Sequence, residues 1–411
     1  MLVVEAFLIL FPFFIWIGLA SANVGRMLDY AIFHFYVMGV FVCLGVGFAY
    51  YNLAFDGKYF LESLFVVWPP AILGIFLLAG KGKSLSINFD SGVSESSQSS
   101  KFVFATLTLL GAVIFARYLY SVGSPALIEL LVNGGDGYII RQSKSTDIAG
   151  GFFLYSILFS YLPLLMISLL ILHWKGTVRQ FFLLLLILCL SMLTLQKAGL
   201  IWSFFVLLVT RIFVKRRVNW SLLLAFPVAF FFLIAVSLAV YYPEREFLQL
   251  LLIAPGFVMR RLAETYAYAH LFSLENIPQN ISFFYGRTLA NPFGLFDFEQ
   301  VNYGRLLGEM INGMVAQNHS YSTFTEMYVN FGNLGIVIVH LLIVLKLCIV
   351  QIVCLKVRIP ARIRLSIYIY FCMQTLQYAM APYQDVMAIK TYLITIFTIL
   401  MYFLWLSIKP V

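Results

Sequence analysis

The chain has 411 residues, of which 62% are hydrophobic, 17% aromatic and 11% charged, with a formal net charge of +9. An ordinary soluble domain carries about 25% charged residues, so this composition excludes a water-facing globule and predicts an all-α, polytopic integral membrane protein. The surplus cations sit at the ends of apolar runs, where membrane orientation accounts for them, and are not a nucleic-acid signature.

The N-terminal stretch lacks a basic leader region, and its apolar run exceeds a signal peptide's. It reads as a retained first span. About eleven spans follow from runs long enough to cross a bilayer: 2–20, 30–51, 60–79, 102–121, 152–172, 181–196, 198–214, 221–241, 324–354, 365–381 and 387–408. Residues 1–411 thus read as a single membrane domain. Only Lys197 to Gly199 can turn between the sixth and seventh spans, and one tilted or broken helix is the alternative reading there. Residues 80–101 are polar and Ser-rich, a flexible linker. Cys43, Cys189, Cys348, Cys354 and Cys372 all lie in apolar runs without metal or disulfide spacing, and read as small packing residues.

Two longer connections remain, 122–151 and 242–323. Within the second, residues 257–273 have helical spacing with one apolar face, and Arg260 and Glu264 are i,i+4 partners. An amphipathic helix lying in the membrane interface is predicted. The pattern Thr323-Phe-Thr-Glu326 predicts a capping box that opens the ninth span. A straight helix from there to Cys354 would reach about 46 Å, beyond the roughly 30 Å hydrocarbon core.

Lysine and arginine counts give the spans a direction. With the N-terminus outside, the inner connections hold Arg26, Lys81, Lys83, Lys101, Lys175, Arg179, Lys215, Arg216, Arg217, Lys356, Arg358, Arg362, Arg364 and Lys409. The outer short turns hold only Lys58, Lys197 and Lys390. Both long connections then face outward, and the C-terminus is cytoplasmic.

The outer half gathers cations beside apolar surface: Arg117, Arg141, Lys144, Arg245, Arg260, Arg261, Arg287 and Arg305. Arginine forks bind phosphate oxygens bidentately. Pairing with Glu244, Glu246, Glu264, Asp297, Glu299 and Glu309 is the plainer alternative. His319 has the unperturbed pKa of a general base, or is a loop histidine bonded to backbone. Glu326 and Asn330 stand one helical turn apart, facing one site; capping is the alternative for Glu326. Lys197 at an outer tip either snorkels or binds phosphate. His340 and Lys346 face the bundle or snorkel, and Gln374, Gln377 and Tyr378 form a patch suited to helix–helix hydrogen bonds. No metal motif, Walker loop, dinucleotide fingerprint or Asp-x-Asp pair occurs, so neither metal nor other cofactor is expected.

One stretch carries a resemblance: Phe284-Tyr-Gly-Arg-Thr-Leu289, Asn291-Pro292, Asn318-His-Ser-Tyr-Ser322 and Thr325-Glu-Met-Tyr-Val-Asn-Phe-Gly332 with Gly335. With the overall layout, these resemble the bacterial oligosaccharide-repeat-unit polymerases, the Wzy-type O-antigen and capsule polymerases. Outside residues 257–340 the likeness is of layout alone. The resemblance implies a C-type glycosyltransferase-like helical bundle in the bacterial inner membrane. It implies transfer of a glycan from undecaprenyl pyrophosphate to an incoming lipid-linked repeat unit on the outer face. His319 would activate the acceptor hydroxyl, with Glu326 as the second catalytic group. Arg287, with Arg260, Arg261 or Arg305, would hold the pyrophosphate, joined by Arg117 and Lys197. Tyr321 and Asn330 would support the site. Lys197 lies where relatives place an arginine in a Ser-Arg-Gly turn; here Gln196-Lys-Ala-Gly199 keeps the charge and loses the fork. A chain-length regulator and a flippase are the implied protein partners. An O-antigen ligase and a flippase of lipid-linked oligosaccharide are the competing functions.

Overall fold

The computed structural model describes residues 97–135, 157–193, 244–261, 267–289, 297–313, 320–356, 359–377 and 390–408, with scattered positions at 47, 58–63, 140–144, 202–211 and 228–242. The first three predicted spans, apart from a few positions, lie outside the described residues, as do Arg141, Lys197, His319 and Tyr378.

Among the described residues every regular element is helical and none is a strand. In chain order the helices are α1 (Ser97–Val122), α2 (Ala126–Asn133), α3 (Leu162–Leu172, after a π turn at Ile157–Tyr161), α4 (Val178–Met192) and α5 (Phe247–Arg261). They continue with α6 (Tyr268–Asn276), α7 (Tyr303–Asn312), α8 (Thr323–Lys356), α9 (Ala361–Gln377) and α10 (Lys390–Ile408). Long apolar runs with few charges favour helices because a helix satisfies its backbone within one segment. The stretches Gln98–Val122 and Thr323–Ile343 are long and apolar enough to cross a membrane.

The chain divides into two compact units. The first comprises residues 1–85, 256–352 and 374–388; the second comprises 86–255, 353–373 and 389–411.

In the second unit α3 is the inner helix, and every residue from Leu162 to Ile171 is buried. A helix apolar all round belongs inside a bundle. α1 and α10 pack together, and both α1 and α4 pack on α3. At Gly111 of α1 an added Cβ would stand 2.9 Å from the Leu162 side chain, so the small residue sets the approach of the two helices. The outward faces are apolar as well: Leu109 and Val113 of α1, Phe181, Phe182, Leu185 and Leu186 of α4, and Leu393, Ile396 and Leu400 of α10 are all exposed. Apolar surface of that extent is a lipid- or partner-facing feature.

α1 begins five residues earlier than predicted, inside the Ser-rich segment, with Ser99 and Ser100 buried. It ends at Gly123, whose φ of 76° and hydrogen bond from N to the Leu119 carbonyl close the helix. The connection after it carries structure. Lys144 Nζ reaches Glu129 Oε2 of α2 at 2.6 Å and the Val122 carbonyl at 2.8 Å, and Ser124 Oγ donates to the same carboxylate. These bonds hold the Glu129 carboxyl below its ordinary pKa, and Lys144, predicted as one of the outer phosphate-seeking cations, is paired.

In the first unit α8 departs most from the sequence reading. Gly332 has φ 62° and ψ −151°, outside helical geometry. In a straight helix Phe324 and His340 would stand about 24 Å apart; their ring centroids are 4.8 Å apart. The chain therefore folds back at Gly332. A short arm, 323–331, lies against a long arm, 333–356. At the crossing Gly335 abuts the Met327 carbonyl and leaves no room for a Cβ. The predicted rod of about 46 Å is thus two arms. Only the long one, roughly 36 Å, has the straight length of a span. Its exposed row is Leu334, Val337, Leu341, Leu345 and Ile349, while Ile336, Val339, His340, Ile343 and Lys346 are buried. A soluble helix has the reverse pattern. Lys346 Nζ donates to Gln374 Oε1 of α9 at 3.5 Å, so both polar side chains face the interior, as their position in apolar runs predicts.

Candidate functional site

The short arm of α8 is capped by Ser322, one residue before the predicted capping box. The Ser322 carbonyl accepts from Glu326 N, and its Oγ accepts from Thr325 N at 3.2 Å. The shift moves Glu326 out of the capping position and turns its carboxyl into the protein, where it has no solvent exposure. At the arm's other end, the break at Gly332 takes the last carbonyls out of the helical ladder. Those of Val329 and Asn330 accept from Phe284 N (3.0 Å) and Tyr285 N (3.2 Å) of the loop 281–289.

Asn330 completes the attachment. Its Oδ1 accepts from Gly286 N at 2.8 Å and Thr288 N at 3.5 Å. Its Nδ2 donates to Thr288 Oγ1 at 2.6 Å and the Glu326 carbonyl at 2.7 Å. All four hydrogen-bonding positions of the amide are thus used, and the pattern fixes which end is oxygen. Thr288 passes the chain on, donating from Oγ1 to Glu326 Oε1 at 3.5 Å. The loop's shape depends on Tyr285 at φ 49° and Gly286 at φ 92°; glycine takes the second without strain. Glu326 and Asn330 do share one site, as their spacing predicts, but that site is buried beneath the loop.

Above it the loop presents Arg287. This residue is exposed; its Nε donates to the Glu299 carbonyl at 3.2 Å, and its own carbonyl accepts from Val301 N. Among the described residues its terminal nitrogens meet no carboxylate. Arg305 follows on the first turn of α7, exposed, where Asn302 caps the helix by accepting from Arg305 N. Arg260 is exposed near the end of α5, and the side chain of Arg261 lies outside the described residues. Arg245 lies 5.5 Å over the ring of Tyr242. Arg117 belongs to the second unit, where it is exposed and stands 5.7 Å over the ring of Tyr120.

Tyr321 is buried with its ring edge-on to Tyr303, whose hydroxyl shares a 2.7 Å hydrogen bond with Ser273. Burial raises the Tyr303 pKa. Tyr328 Oη donates to the Ile277 carbonyl.

The predicted interfacial helix is differently placed. Residues 257–261 close α5, residues 268–273 open α6, and 262–266 lie outside the described ones. Ala269, His270, Leu271, Ser273 and Leu274 are buried, so this stretch is interior; the exposed apolar residues Leu248 and Leu252 lie earlier, on α5. Phe257 and Val258, at the end of α5, are half-buried.

Sequence reasoning missed His270. Its Nδ1 lies 3.4 Å from Thr325 Oγ1, its ring is edge-on to Tyr328, and Nε2 is buried without a partner among the described residues. Burial pushes its pKa down to about 4, from an ordinary 6.5. A depressed histidine contributes stability above pH 6.5 that is lost as pH falls towards 4, because the unfolded state takes up the proton first. The full difference is roughly 3 kcal/mol. Protection factors against hydrogen exchange in peptides 268–276 and 323–330, taken relative to the intrinsic rate at each pH, should therefore fall between pH 6.5 and 4. His270→Phe should flatten that dependence; an unchanged profile in the variant would assign it elsewhere.

Among the described residues no three His, Cys, Asp or Glu side chains gather as a metal site. No protein-family model, curated protein or solved structure matches the chain.

Proposed function

We propose that this chain polymerises lipid-linked oligosaccharide repeat units at the outer face of the bacterial inner membrane, with its N-terminus outside and its C-terminus in the cytoplasm. The supporting observation is the joining of Phe284–Leu289 to Glu326–Asn330. These two stretches carry the resemblance to the Wzy-type polymerases, lie about forty residues apart, and are tied through Asn330 and Thr288. The clamp fixes the turn that carries the exposed Arg287, which supports reading its guanidinium as a partner for a pyrophosphate leaving group.

In this reading the donor is the growing glycan on undecaprenyl pyrophosphate, and the acceptor is the sugar of the next lipid-linked unit. His319 removes the acceptor proton. Arg287, with Arg260, Arg261 or Arg305, stabilises the departing pyrophosphate. Glu326, buried beneath the loop, acts through Thr288 as a positioning group, with Asn330 and Tyr321 fixing the frame. No metal is invoked, because pyrophosphate is already a good leaving group and orientation supplies much of the acceleration.

A strain lacking the gene tests this. Its lipopolysaccharide should carry core plus a single repeat unit, with ladders restored by the wild-type chain. Core without any repeat would reject polymerisation in favour of ligation or flipping.

A further inference from the structure

The end of the second unit where α3 stops carries a cluster that the outer-face chemistry does not use. His173 caps α3, and Arg362 from the first turn of α9 meets its ring, with Nη1 2.5 Å from Nδ1. A guanidinium has no acceptor. Arg362 must therefore donate to Nδ1, which leaves the imidazole proton on Nε2. That Nε2–H is buried and has no acceptor among the described residues.

Among the described residues the charges that act on His173 are Arg362, which bonds its ring, Lys101 from the start of α1 and Lys175 in the turn after α3. That turn is held by Gln180, which donates to the His173 carbonyl and accepts from Lys175 N at 2.7 Å each. The described carboxylates of this unit are engaged or distant in sequence. Glu129 is bound to Lys144 and Ser124, and Glu244 and Glu246 precede α5. Cations placed only to orient the chain belong in these connections, but orientation does not require an arginine to bond a half-buried ring at a helix end.

We propose that this cluster, His173 Nε2 with Arg362, Lys101 and Lys175, binds a phosphate oxyanion, carried by an anionic phospholipid headgroup or free in solution. The set holds donors and positive charge alone, which is the complement of a phosphate. Helix-end basic pockets of this kind retain anionic headgroups.

The test uses the full-length protein in nanodiscs. Phosphatidylglycerol should raise the Tm above that in phosphatidylcholine alone. Arg362→Gln and Lys101→Gln should each weaken the apparent affinity about fivefold, the effect of one lost cation near a headgroup. Lys101 is exposed, so its variant keeps the test valid if Arg362→Gln does not fold. Millimolar inorganic phosphate in neutral nanodiscs separates the sources: equal stabilisation, lost in the same variants, assigns the site to soluble phosphate. Dependence on phosphatidylglycerol alone assigns it to lipid. Stabilisation by neither probe, or variants that respond like wild type, overturns the proposal.

Discussion

Asn330→Ala should release the loop 284–289 and abolish polymer ladders while the chain still inserts. The substitution strips the acceptor from Gly286 N and Thr288 N, both buried, and the donor from Thr288 Oγ1. Each buried group left without a partner costs about 1–3 kcal/mol, so the loss approaches 3–5 kcal/mol for this clamp. Phe284 N and Tyr285 N keep their carbonyl acceptors on Val329 and Asn330, so the loop should loosen from its C-terminal side. Hydrogen exchange at residues 286–289 should rise well above that at 284–285. Equal protection in variant and wild type would mean that the amide is not what holds the loop. Asn330→Asp restores the two acceptor contacts but not the donors, and adds a carboxylate one turn from Glu326. It should recover part of the protection and little activity.

That clamp explains which parts of the molecule the sequence made legible. The described bounds of α1, α9 and α10 fall within about five residues of those predicted, because runs with few charges and no breakers favour a backbone satisfied within one segment. Periodicity failed where contacts join distant residues. Nothing local indicates that Thr288 belongs with Asn330, 42 positions away. The fold-back of α8 was legible in principle. Gly332 and Gly335 sit in an otherwise helical run, and glycine inside such a run marks a break or a close approach; here they supply one of each. His270 escaped because a histidine on an apolar face gives no sign of which neighbour its ring will meet. The apolar spacing at 268–273 is ambiguous in sequence, since a stripe facing lipid and a stripe facing protein have the same spacing.

Glu326 separates function from stability most sharply. It is completely buried, where an ionised carboxylate carries a desolvation cost of several kcal/mol, and Thr288 Oγ1 donates to it at 3.5 Å. Glutamine keeps the shape and the oxygen that accepts from Thr288 and removes the charge. Glu326→Gln should therefore still fold and insert. If the carboxylate is present only to fold the arm, ladders should persist. If its charge sets the position of the loop carrying Arg287, activity should fall about a hundredfold, the scale of a small misplacement at a reacting centre. The second outcome is expected, because the carboxyl reaches Thr288 of the loop that carries Arg287. Glu326→Ala should lose both, because it leaves Thr288 without its acceptor. A Glu326→Gln chain with full ladders would reduce this residue to packing and leave the chemistry to His319 and the arginines.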